Sequence, residues 1–188
     1  MKRILIISLL SLLMTPLHAQ LAQKNNIYVN YANVTGDRTL SGSFLGHGYA
    51  IGYSRYLKPR LYADISVGRL DYEGKQSPFF LTKDETGRFD MAFFTLGFGY
   101  DLVQREKFIL SAEGSYLRIS NTMLMSQIES NGLTIREISR SPDVSARVGI
   151  KAKFFVNDHV QVSPSASYGF AIENFRTIWL NLGIGYSF

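Results

Sequence analysis

The sequence predicts an all-β protein: an eight-stranded antiparallel up-and-down transmembrane β-barrel. Three observations carry this. Eight segments alternate apolar and small or polar residues with period two, which places the two sets on opposite faces of extended chain. The composition is rich in Tyr (11), Phe (13) and Gly (16) beside a single Trp, which suits strands with close backbone approaches. The less apolar face is made of Gly, Ser, Ala, Thr and Asn with few charges. A water-facing exterior would carry dense Lys and Glu, whereas the lumen of a small barrel needs small residues.

The chain opens with basic MKR, an apolar run ILIISLLSLL, and MTPLHAQ. This reads as a secretory signal peptide over residues 1–19, cut after Ala19. The run is too short to span a bilayer as a helix. Residues 20–188 then form one barrel domain, and no later apolar run reaches ~18 residues. Cysteine is absent, which excludes disulfides. Net charge is +5, and Lys2 and Arg3 leave with the signal. No basic cluster suits nucleic acid.

The first strand is NIYVNYAN, with Ile27, Val29 and Tyr31 on its apolar face. The second is LGHGYAIGYSRYL, with Leu45, Tyr49, Ile51 and Tyr53 against Gly46, Gly48, Ala50, Gly52 and Ser54. Its glycines alternate along a strand and open no helix, so GSFLGHGYAIG is not a phosphate loop. The third is LYADISVGRLDY and the fourth MAFFTLGFGYDL. The fifth, FILSAEGSYLRIS, sets Phe108, Leu110, Ala112 and Tyr116 against Ser111, Glu113 and Ser115. The sixth, VSARVGIKAKFF, sets Val148, Ile150 and Phe154 against Arg147, Gly149, Lys151 and Lys153. The seventh, VQVSPSASYGF, contains Pro164, which cannot donate to a ladder and predicts a bulge or a missing bond. The eighth is the closing NLGIGYSF.

Connections alternate in length. Those after strands two, four and six are short, and those after three and five are long, which is the layout of outer-membrane barrels. Aromatics gather near strand ends on the apolar face: Tyr53, Tyr100, Phe108, Phe154, Tyr186 and Phe188 toward the short turns, and Tyr31, Tyr116 and Phe170 toward the long loops. They form two interfacial girdles, so the apolar face points to lipid.

The long stretch 121–142 contains MLMSQIESNGLTIREIS, a hairpin continuing strands five and six and turning near Asn131-Gly132. Residues facing each other across a hairpin share a face. Glu113, Arg147, Gly149 and Lys151 all point inward, so a strict two-residue turn would set inward against outward. An odd-length turn such as 130–132, or a bulge, is expected. With a three-residue turn Glu113 lies opposite Gly149, with Arg147 and Lys151 as its diagonal neighbours; a two-residue shift would set Lys151 directly opposite, and in either register a cation is in reach. The inward charges Asp64, Glu113, Arg147, Lys151 and Lys153, with Tyr62, form either a salt-bridged plug or the lining of a narrow pore. The loop between strands three and four holds Phe79, Phe80 and Leu81, either a partner or lipid contact or packing among loops.

The terminus resembles the C-terminal recognition signal of bacterial outer-membrane barrels, polar–x–Gly–x–x–aromatic–x–aromatic, filled here by Asn181, Gly183, Tyr186 and Phe188. The mature chain as a whole resembles the small eight-stranded barrels of the OmpA/OmpX and porin-like type. The resemblance implies export to the outer membrane, a monomer in outer-membrane lipid, and the barrel-assembly machinery as partner during biogenesis. Two enzyme classes built on such barrels carry a His-x-Ser on a strand or a His with an Asp-Ser pair. Here His47 precedes Gly48-Tyr49, His159 precedes Val160-Gln161, and no Asp-Ser occurs. No catalytic residue, no cofactor and no metal site is therefore expected, there being no Cys and no close His pair. The expected role is structural or surface-interacting through the loops; the alternative is a narrow channel for small solutes or ions.

Overall fold

The computed structural model describes residues 24–38, 42–74, 87–130, 133–170 and 175–188. The signal segment and the Phe79-Phe80-Leu81 loop lie outside them. Eight antiparallel strands follow in chain order: β1 (Asn25–Arg38), β2 (Gly42–Lys58), β3 (Leu61–Gly74), β4 (Gly87–Arg105), β5 (Phe108–Ser130), β6 (Leu133–Phe155), β7 (Val160–Phe170) and β8 (Phe175–Ser187). They close into one barrel, with β8 against β1. Closure leaves no strand edge within the lipid layer, where an unpaired backbone group would cost several kcal/mol.

The register fixes the barrel's shape. From Asn26, successive partners are Ser54, Asp64, Gly97, Ser115, Arg147, Gly169, Thr177 and then Gly36. One circuit thus returns ten residues farther along β1. With usual strand spacings, that stagger over eight strands tilts them by about 40°.

The faces follow the sequence phase. Ile27, Val29, Tyr31, Tyr49, Ile51, Leu96, Phe98, Val148, Ile150 and Ile184 all point outward and are exposed. Tyr100, Phe154, Tyr186 and Phe188 rim this belt at the short-turn end, and Tyr31, Tyr49, Tyr116, Tyr168 and Phe170 at the other. So much exposed apolar surface is stable only in lipid.

Pro164 sits in unbulged strand. β6 and β7 keep one register from Ala146↔Phe170 to Phe155↔Gln161, but the pairs of Ala152 with Pro164 and Lys153 with Ser163 are missing. Pro164 still pairs with Leu182 of β8. The missing donor therefore interrupts one ladder locally.

β5 and β6 are each 23 residues long. About 9–11 tilted residues cross a bilayer, so the pair runs roughly 30 Å beyond it. Ser130 pairs directly with Leu133, and the register shifts between Leu124 and Ser126. The hairpin thus combines a two-residue turn with a bulge. Below the bulge Glu113 lies opposite Gly149 and Ser115 opposite Arg147.

Candidate functional site

The lumen has two storeys. The lower one, toward the short turns, is polar. Lys151 Nζ lies 2.6 Å from Glu113 Oε1 and 3.9 Å from Asp64 Oδ2. The Tyr62 hydroxyl donates to Glu113 Oε1 at 2.7 Å, and the Tyr28 hydroxyl to Asp64 at 2.8 Å. Lys153 Nζ donates to the Tyr56 hydroxyl at 3.0 Å and sits 3.9 Å over the Tyr62 ring. The Tyr56 hydroxyl in turn donates to Asp101 Oδ2 at 2.7 Å. Asp101 is fully buried and also accepts from Gln104 Nε2 at 2.8 Å and Ser111 Oγ at 2.7 Å.

Three Lys–carboxylate links result: Lys151 directly with Glu113 and, more loosely, with Asp64, and Lys153 with Asp101 through the Tyr56 hydroxyl. Among the side chains described in the lower storey and at its upper margin, three carboxylates (Asp64, Asp101, Glu113) face three cations (Arg147, Lys151, Lys153). Such balance is what makes buried charge tolerable.

Glycine makes room for the tyrosines. A Cβ on Gly52 would collide with the Tyr28 ring, and one on Gly99 with the Tyr62 ring. The inward glycines of β2 and β4 are therefore the cradles of two phenols that reach across the lumen to carboxylates.

Arg147 bridges the storeys. Its Nε donates to Ser115 Oγ at 3.2 Å, and its guanidinium lies 5.2 Å over the Trp179 ring. Beside it, Asp64, Glu113, Ser115, Arg147 and Ser167 line a cavity of about 10 Å³ open to a water's centre, room for one water.

The upper storey is apolar. Ala32, Val34, Ala50, Leu70, Phe93, Leu117, Ile119 and Trp179 form one buried cluster across the lumen. Phe93 meets Trp179 edge-on at 5.1 Å, and Trp179 Nε1 donates to Thr177 Oγ1 at 2.9 Å, so the indole N–H is satisfied.

All five charges expected inward from the sequence face the lumen. Glu113 pairs with Lys151 rather than Arg147. Asp101 was not among those expected. It continues the inward phase of Gly97 and Gly99, which is the signal that locates it, but it sits where strand runs into turn. The apolar storey was also unforeseen, since the sequence reading made the lumen small and polar throughout.

The terminal motif divides by face. Asn181 and Gly183 point inward: Asn181 Nδ2 donates to Ser165 Oγ at 3.0 Å, and a Cβ on Gly183 would strike the Asn30 side chain. Tyr186 and Phe188 point outward and are exposed. His159 stacks on Tyr186 with ring centroids 5.4 Å apart, and its Nδ1 is 3.0 Å from the Ser187 carbonyl. Asn25 and Phe188 exchange backbone hydrogen bonds of 3.0 and 2.9 Å across the closing seam. His47 lies on the exterior, exposed, between Asn33 and Asp71. Neither histidine reaches the lumen.

Solved structures share this architecture. The barrel of Neisserial surface protein A superposes with a TM-score of 0.65 at 14% identity, covering 87% of this chain and 97% of that one. The attachment invasion locus protein Ail of Yersinia pestis, solved with the heparin analogue sucrose octasulfate, gives 0.59 at 13% identity, covering 88% and 99%. This chain has the fold of the small eight-stranded outer-membrane barrels. No protein-family model matches the sequence, and no curated protein matches it. The lipid-facing belt and its girdles put this outer-membrane barrel in the outer membrane, with its short turns on the periplasmic side.

Proposed function

We propose that this barrel is a non-enzymatic, non-conducting anchor whose working surface is the extracellular end. The observation that carries this reading is the doubly closed lumen. A charge-balanced polar storey lies beneath an apolar one containing Trp179 and Phe93. An ion crossing the upper storey would lose its hydration among mostly apolar side chains, the hydroxyls there, such as Thr95, Ser145 and Thr177, being too few to replace it. Support for a surface role comes from the β5–β6 hairpin. β5 and β6 continue together well beyond the lipid layer as a paired two-stranded ribbon, the kind of surface on which a partner's extended chain can pair. Biogenesis is proposed to run through the barrel-assembly machinery reading Asn181, Gly183, Tyr186 and Phe188.

The test is single-channel recording in planar bilayers. The expected result is no steady conductance above the bare membrane. Stable, reproducible openings would overturn the anchor reading and favour a narrow channel. Lipid analysis of the outer membrane after expression tests the enzymatic part: a new acylation or deacylation product would refute it.

A further inference from the structure

We propose that the periplasmic rim formed by β2 to β5 is a binding surface for anionic phospholipid headgroups of the inner leaflet of the outer membrane. Lys58 and Arg60 flank the β2–β3 turn, Arg105 and Lys107 the β4–β5 turn, and Arg55 lies just above on β2. Lys24 joins them, its carbonyl accepting from the Tyr56 N–H at 2.8 Å. Against these six cations the same surface carries one acid, Glu106. None of the six makes an ion pair with a described residue. Across the rim, the β6–β7 turn carries only Asp158 and His159 as charged or titratable groups. The positive charge is therefore on one side.

The two basic turns are held together. Gln104 Nε2 donates to the Pro59 carbonyl at 2.7 Å, and the Asp101 N–H to the Arg60 carbonyl at 2.8 Å. Through Asp101 they are tied to Tyr56 and Ser111, so the cations stand on a fixed platform. Direction selects lipid over a partner below the rim. Arg55 is in phase with outward Tyr53, and Arg105 pairs with outward Phe108. Exposed Leu57, Tyr100 and Leu102 adjoin them. The guanidinium groups thus leave the barrel sideways, directly below the apolar belt, where headgroup phosphates lie. Each Lys or Arg at such a surface is worth about fivefold in affinity for anionic lipid, weakened by salt.

The test uses full-length protein in nanodiscs holding a phosphatidylglycerol–phosphatidylcholine mixture. Lipids retained after detergent release are counted by native mass spectrometry. The wild type should keep phosphatidylglycerol preferentially. The variant K58Q/R60Q/R105Q/K107Q should lose at least about tenfold of that preference, while keeping the heat-modifiable gel shift of a folded barrel. R69Q/R118Q, outward cations at the opposite end, should leave it unchanged. Equal preference in the quadruple variant would overturn the proposal. So would inorganic phosphate displacing the lipid at millimolar concentration, which would point to a free-anion site. Binding of isolated peptidoglycan through the same four cations, without lipid preference, would also overturn it.

Discussion

Replacing Glu113 by Ala removes the acceptor shared by Lys151 and Tyr62. Lys151, with a side chain 8% exposed, would keep Asp64 at 3.9 Å as its one anionic partner among the described residues, beside the Tyr28 ring 5.0 Å away. The Tyr62 hydroxyl, on a fully buried residue, would lose its 2.7 Å acceptor. Breaking a buried pair on one side costs about 3–5 kcal/mol. Asp64 holds the figure toward the lower end, and the stranded hydroxyl adds to it, so a loss of about 3–4 kcal/mol is expected. Replacing both partners, as Glu113→Leu with Lys151→Met, removes the stranded ammonium but still leaves the Tyr62 hydroxyl without its acceptor and Asp64 without Lys151, so the loss should be clearly smaller than the sum of the two single changes without returning to wild type. The assay is urea-dependent unfolding from lipid vesicles, followed by the fluorescence of Trp179. It is the only tryptophan in the chain and is completely buried. The reasoning fails if Glu113→Ala costs less than about 1 kcal/mol, or if the double variant loses as much as the two single changes together.

Trp179→Ala should cost about 3–5 kcal/mol through the cavity it leaves. It should raise conductance only when combined with Glu113→Ala, since either storey alone closes the lumen; planar-bilayer recording decides. Gly99→Ala should lower the yield of folded barrel, because its Cβ would strike the Tyr62 ring; Gly114→Ala, where the space is open, should not. Gel mobility before and after heating reads both. Deleting Phe188 removes the residue that exchanges backbone hydrogen bonds with Asn25, and should reduce outer-membrane protein in cell fractionation while increasing its periplasmic degradation.

How far the fold was legible depended on contrast between the faces. In the lower half, Gly97 and Gly99 alternate with Leu96 and Phe98, so phase, strand number and inward charges could all be read. Parity alone then demanded a bulge or an odd turn and set Glu113 among Arg147, Gly149 and Lys151; which of them it faces depended on the turn length, and the structure gives Gly149. The chain uses the bulge, between Leu124 and Ser126. In the upper half the contrast disappears. Phe93 and Phe94 are adjacent in sequence and point to opposite faces, and Leu117, Ile119 and Trp179 are inward yet apolar. Hydropathy carries no period where both faces are greasy. Only counting residues up from the legible half would have found this storey. The tyrosine relays were hidden for another reason: which carboxylate a phenol reaches across a lumen is set by shear, not by spacing along one strand.

The vertical order of the storeys has a consequence for what a channel in this barrel would require. The polar storey lies beside the periplasmic turns, and the apolar storey lies above it. Water excluded by Trp179, Phe93 and Leu117 cannot reach the Glu113–Lys151 pair from outside, and a pair shielded from water on one side is electrostatically stronger than an exposed one. Disrupting the ion pairs alone leaves an apolar septum; displacing the septum alone leaves a charge-balanced network with space for about one water. A conducting state would need both to rearrange together. Arg147 is where they meet, donating to Ser115 and lying over the Trp179 ring. Any motion that opens this lumen must therefore move Arg147, whose cationic stacking on the one tryptophan makes that motion visible as a change in its emission.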